Sequence, residues 1–243
     1  MRIIFVALFL FFFLILSIPI LGIEWVIGKF SKNTKDYSSL RLVQWAFKVI
    51  IKISGVELTV LGEENIPDEA VLFVGNHRSY FDIVLTYARC KRLCGFVAKK
   101  EMLRYPVLRK WMQYLYCLFL DRDDIRAGLK TILTAIDYVK SGISISIYPE
   151  GTRGTGDELE MLPFKDGALK IAQKTGCAII PVSINNSSAI FEDQAPWIKK
   201  THVVIEYGTP IYPNELDKET KKHLGTYCQN IILETLKKNQ SLV

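Results

Sequence analysis

Histidine is scarce in this 243-residue chain: only His77, His202 and His223 occur. With so few imidazoles, a metal centre is not supported, and Cys90 and Cys94 form a lone C-x-x-x-C pair with no second pair to complete a zinc site. The five cysteines (90, 94, 117, 177 and 228) are an odd number without framework spacing. That pattern excludes a disulfide scaffold and suits a reducing compartment. No G-x-S-x-G elbow is present, so a serine acyl-enzyme is not indicated. Glycines 151, 154 and 156 resemble a phosphate loop, but no Gly-Lys-Ser/Thr follows them. Internal repeats, low-complexity tracts and nucleic-acid-binding motifs are absent as well.

Charge is missing from one long stretch. Residues 3–23 carry none and are rich in Phe, Leu and Ile. As a helix this run reaches roughly 30 Å, the thickness of a bilayer core. A cleaved signal peptide has a shorter apolar region ending in small residues, and Ser17-Ile18-Pro19-Ile20-Leu21-Gly22 offers no such site. The run therefore reads as an uncleaved membrane anchor. Arg2 precedes it, and Lys29, Lys32, Lys35 and Arg41 follow. That bias puts the C-terminal side in the cytoplasm. Residues 38–54 read as a second helix with a polar stripe of Arg41, Gln44, Lys48 and Lys52. Such a helix either lies in the headgroup layer or packs on a core. Residues 24–37 read as a linker, residues 1–55 as the anchoring segment and 56–243 as the globular domain.

Strand-like stretches at 57–61, 71–74, 95–98, 117–120, 143–148, 178–184 and 203–207 alternate with helical ones at 82–88, 107–114, 125–141, 164–175 and 219–238. This alternation predicts an α/β fold, a mixed and mostly parallel sheet of about seven strands covered by helices. The net charge of +6 calls for an anionic partner. Beside an anchor, a membrane surface or a phosphorylated substrate fits better than nucleic acid.

Three polar clusters leave strand ends, where open α/β sheets carry their chemistry. Asn76-His77-Arg78-Ser79-Tyr80-Phe81-Asp82 follows the strand at 71–74. Asp82 reaches the imidazole only if His77 lies in the loop and Asp82 in the first helical turn. His77 would then be a general base oriented by a carboxylate. The plainer alternative is a cap at Asn76 or Ser79 with an exposed histidine. Tyr148-Pro149-Glu150-Gly151-Thr152-Arg153-Gly154 supplies a carboxylate, a hydroxyl and a guanidinium, a set suited to a phosphorylated polyol. Its alternative is a tight turn with a surface Glu–Arg pair. Asp121-Arg122 brings Arg122 to the same edge as Arg153 if the strand at 117–120 runs parallel to the others.

Together these blocks, in this order, resemble the 1-acylglycerol-3-phosphate acyltransferase family over residues 56–207. N-H-x-x-x-x-D matches at Asn76, His77 and Asp82. F-P-E-G-T-R matches with Tyr148 for Phe, followed by Pro149, Glu150, Gly151, Thr152 and Arg153. Asp121-Arg122, Phe164-Lys165-x-Gly167 and Ile180-Pro181-Val182 match further blocks, and Tyr116 stands where Gly is usual.

The resemblance implies transfer of an acyl group from acyl-CoA or acyl carrier protein to the sn-2 hydroxyl of a lysophosphatidate in the membrane, with no cofactor. His77 would take the hydroxyl proton and Asp82 would orient it. Arg122 and Arg153 would hold the phosphate, Glu150 the glycerol, and Asn76, Gly151 and Thr152 would complete the binding loops. Lys100 would stabilise the thioester oxyanion. Rivals are another lysolipid or glycerol-3-phosphate as acceptor, a hydrolase, or a non-catalytic lipid-binding protein of the same fold.

Overall fold

The computed structural model describes residues 1–121 and 124–243. Two long helices come first, α1 (Arg2–Phe30) and α2 (Lys32–Ser54). Seven strands follow: β1 (Glu57–Leu61), β2 (Leu72–Gly75), β3 (Cys94–Lys99), β4 (Leu118–Leu120), β5 (Ser144–Ile147), β6 (Ile179–Asn185) and β7 (His202–Tyr207). Between and after them run α3 (Phe81–Tyr87), α4 (Pro106–Tyr114), α5 (Ile125–Lys140), α6 (Asp166–Thr175), α7 (Lys218–Lys222) and α8 (Leu224–Asn239).

The strands form one sheet in the order β1-β7-β6-β2-β5-β3-β4. Every pair is parallel except β6 with β7. The mixed, mostly parallel sheet expected from the alternation is therefore present. Its central strands are buried on both faces, as parallel strands under helices must be.

Side-chain alternation divides the core. Leu72, Val74, Ile145, Ile147 and Ile179 face α5, α6 and α8. Ile180, Val182, Ile184, Val203 and Ile205 face α3 and the N-terminal helices. Fully buried side chains such as Leu85 and Ile205 each stabilise the fold by about 1.5–3 kcal/mol. On the α3 side, strand β5 presents Ser144 and Ser146 in place of isoleucines. Small residues there leave a cavity between sheet and helices, lined by Phe73, Gly75, Cys94, Phe96, Tyr148 and Val182 among others.

Residues 24–37 are not a linker. Helices α1 and α2 meet at Ser31, whose N–H donates to Ile27 O at 2.8 Å and whose hydroxyl accepts the Thr34 N–H at 3.2 Å. One residue thus ends one helix and caps the next. Ser38 Oγ of α2 donates across the hairpin to buried Glu24 of α1 at 2.8 Å, while within α2 Lys35 pairs with its buried neighbour Asp36 at 2.8 Å. Helix pairing overrode the composition that suggested a loop.

Helix α2 starts earlier than the pattern indicated and packs as a core element. Leu40, Val43, Ala46 and Ile50 are buried, and Gln44 donates to Tyr87 O and Cys90 O at 3.2 and 2.6 Å. Helix α1 is tied to α4 as well: Trp111 Nε1–H donates to Ser17 Oγ at 2.9 Å, and the Tyr114 hydroxyl to Leu21 O at 3.3 Å. Its other side exposes Leu8, Phe11, Phe12, Ile15 and Leu16. It is long and apolar enough to cross a membrane.

The helix expected over 219–238 is two. The chain breaks at His223 because the α8 N-terminus docks on α6, with the Gly225 N–H donating to Asp166 Oδ1 at 2.8 Å.

Candidate active site

Strands β2 and β5 are parallel neighbours, with Val74 opposite Ile147. The chain therefore leaves both at the same edge, and the loops carrying His77 and Glu150 meet there. The His77 N–H donates to Glu150 Oε1 at 2.7 Å, and the Gly154 N–H donates to His77 O at 2.8 Å. Arg78, buried, donates from Nη1 to Asp157 O at 3.0 Å and from Nη2 to Gly156 O. Four hydrogen bonds lock the two loops together.

His77 lies in the loop and Asp82 in the first turn of α3, the arrangement that the five-residue spacing needs. His77 Nδ1 is 2.8 Å from Asp82 Oδ2. The same oxygen accepts the backbone N–H groups of Arg78 and Ser79, each at 2.8 Å. A fully buried carboxylate at a helix N-terminus is favoured by those amides and by the helix dipole. With Nδ1–H donating to it, Nε2 carries the lone pair. One face of the imidazole is covered by Tyr148, whose ring centroid lies 4.3 Å from it at an interplanar angle of 14°. Burial pushes the Tyr148 phenol well up, so it stays protonated.

The remaining candidates divide by contact. Asn76 is fully buried and exchanges both amide bonds with Ile184, at 3.0 and 2.9 Å. Its side-chain amide thereby joins the end of β2 to β6. Glu150 is likewise buried; Oε1 accepts from His77 and Oε2 from the Leu162 N–H at 3.0 Å. Desolvation raises its pKa, only partly offset by those amides. Each oxygen accepts a backbone N–H, so Glu150 braces the His77 loop against the chain at Leu162.

Gly151 sits at φ 79°, in the left-handed region that glycine tolerates, and lets the chain turn tightly ahead of Thr152 and Arg153. Thr152 and Arg153 border an open polar cleft with Arg78, Ser188 and Glu192. Lys100 follows β3 and lies 2.8 Å from Asp121, at the end of β4. Strand β4 is parallel to β3 and hence to β5, the direction that carries the chain toward the Arg153 edge. Arg122 itself lies outside the described residues.

Sequence reasoning missed three participants. Arg78 sits inside the first motif but reads as an arbitrary residue there. Tyr80 reads as a loop residue, yet its ring lies under the Arg153 guanidinium, 3.6 Å from the centroid. Glu192 follows β6 in a stretch without any motif; it pairs with Arg153 at 2.9 Å. Neither partnership leaves a local signal, because each joins residues far apart in the chain. Among the described residues, no group of three or more His, Cys, Asp or Glu side chains is placed to hold a metal ion.

A family model described as "Acyltransferase" matches residues 57–185. The 1-acyl-sn-glycerol-3-phosphate acyltransferase of Borreliella burgdorferi is 31% identical over 208 residues, covering 82% of this chain and 80% of that protein. The enzyme of the same name from Saccharomyces cerevisiae is 29% identical, covering 81% of this chain and 67% of its own length. That of Helicobacter pylori is 30% identical, covering 79% and 81%. The crystal structure of the 1-acyl-sn-glycerophosphate acyltransferase from Thermotoga maritima superposes with a TM-score of 0.79 at 23% identity, over 98% of this chain and 97% of that one. The last likeness is one of fold.

Proposed function

The chain belongs to the acyltransferase family, and from that premise we propose that it moves a fatty acyl group from an acyl thioester to the sn-2 hydroxyl of 1-acylglycerol-3-phosphate, giving phosphatidate. The observation that carries this reading is the His77–Asp82 contact of 2.8 Å, at a sheet edge shared with Arg153.

His77 Nε2 accepts the proton of the acceptor hydroxyl as its oxygen attacks the thioester carbonyl. Asp82 holds the imidazole in the required tautomer and stabilises the imidazolium that forms. Collapse of the tetrahedral intermediate breaks the carbon–sulfur bond, and the leaving thiolate takes up the proton from His77. Tyr148 fixes the plane of the ring. Arg153 binds the acceptor phosphate, joined by Arg122 in the sequence reading. Lys100 is the assigned partner of the developing oxyanion. The cavity beneath Tyr148, apolar along Phe73, Phe96 and Val182, suits the donor's acyl chain.

The donor is a thioester of coenzyme A or of a carrier protein, and no cofactor enters the reaction. Residues 1–55 form the membrane anchor and 56–243 the acyltransferase domain. The apolar side of α1 meets lipid, which keeps the site at the layer where acceptor and product reside. Basic residues flanking α1 and five unpaired cysteines support a cytoplasmic face.

The test is an acyl-transfer assay with and without lysophosphatidate, on wild type and His77→Ala. Diacyl product should require the lysolipid, and the variant should lose about 10²–10⁴-fold in rate while remaining folded. Free fatty acid formed without acceptor, or a variant within a few-fold of wild type, would refute it.

A further inference from the structure

Arg153 does not reach into its cleft unsupported. Glu192 Oε1 accepts from Arg153 Nη1 at 2.9 Å and from the Tyr80 N–H at 2.8 Å, while Oε2 accepts the Ser79 hydroxyl at 2.6 Å. Ser79 Oγ in turn accepts the Phe81 N–H at 3.0 Å, at the start of α3. The carboxylate is only 19% exposed, so bulk water screens these bonds weakly. Tyr80 covers one face of the guanidinium. Glu192 therefore belongs to two loops at once: the turn that follows His77 and the turn that carries Arg153.

We propose that Glu192 is a positioning residue for the acceptor phosphate, fixing one edge of Arg153 over Tyr80 and presenting the other edge to the ligand. This rests on the reading of Arg153 as the phosphate contact. A guanidinium has five N–H donors, and among the described residues Glu192 takes one terminal nitrogen. The Nε–Nη2 edge keeps the parallel geometry that suits two phosphate oxygens. Arginine loses much rotamer freedom when it binds a ligand, and a side chain held beforehand loses less. The other conceivable role, a carboxylate that competes with phosphate for Arg153, fits poorly. Glu192 is anchored by Tyr80 and Ser79 at the same time and cannot swing aside without releasing both. The two roles predict opposite signs.

The test uses the full-length enzyme, lysophosphatidate and an acyl-CoA. Glu192→Ala should raise the acceptor KM about tenfold, the order expected for losing a charge-assisted hydrogen bond, and leave the donor KM within about twofold. Glu192→Gln keeps an oxygen facing Tyr80 and Arg153 and should recover most of the loss. In an Arg153→Ala background, Glu192→Ala should add little, since its target is gone. An acceptor KM that is unchanged or lowered in Glu192→Ala overturns the proposal. Equal shifts in both KM values, or a full effect persisting without Arg153, do so too and reduce Glu192 to a fold contact. If Arg153→Ala alone leaves the acceptor KM unaltered, the phosphate assignment fails, and this proposal with it.

Discussion

The rings of His77 and Tyr148 stack at 4.3 Å and 14°, one leaving β2 and the other β5. Parallel pairing of those two strands is what sets the rings side by side. An offset aromatic pair contributes about 0.5–1.5 kcal/mol beyond its buried area. Tyr148→Phe keeps that plane and should retain kcat within about threefold. Tyr148→Ala removes it, and kcat should fall by about tenfold with melting temperature tracked as a control. Equal activity in the two variants would mean that the stack does not hold the imidazole.

The cavity under Tyr148 exists because β5 places Ser144 and Ser146 on the α3 side. Ser146→Leu fills part of it. Measured across thioesters of increasing length, kcat/KM for long chains should drop by about tenfold while short chains lose about threefold at most. A uniform loss at all lengths would detach the cavity from the acyl chain.

Burial raises the Glu158 carboxyl above its ordinary value of 4.5, although Asn186 and Asn185 donate to it at 2.5 and 3.1 Å. An acid with a raised folded-state pKa takes its proton first in the folded chain. Its contribution to stability is thus lowest above that pKa and grows as pH falls toward 4.5. Glu158→Gln has no proton to gain. The melting temperature of wild type minus that of the variant should rise as pH is lowered through this window and level off below it. Thermal scans from about pH 7.5 to 4 would read it, and a flat or falling difference would contradict the assignment.

Helix α1 exposes Phe12 at 54% and Leu16 at 66%, on the side away from α2 and α4. If lipid covers that side, Phe12→Lys with Leu16→Lys should weaken binding to phosphatidylglycerol-containing vesicles by at least about tenfold, since burying each apolar side chain is worth about 1.5–3 kcal/mol. Co-sedimentation gives the number. Unchanged partition would place the membrane contact elsewhere.

Much of this protein was legible in its residues. Strand and helix periods are local, so alternating apolar stretches located all seven strands to within a residue or two. Motif spacing is local too, and His77 and Asp82 could be paired from a five-residue interval and a helix start. The hairpin was misread because its polar residues find partners in the opposing helix, which composition does not reveal. For Asn76 and Glu150, residue type alone suggests groups available to a ligand. Only the packed sheet shows that backbone amides and carbonyls already occupy them.

What the chain order alone determined is the inventory: an apolar leader, seven strands, and polar loops at the ends of three of them. What tertiary structure decided is adjacency. Strand order put β2 beside β5, and that brought Tyr148 onto His77 and Arg78 onto the glycine turn. The return of the chain after β6 brought Glu192 to Arg153. Such contacts join residues distant in sequence, and their geometry comes from sheet pairing, for which a linear string carries no period.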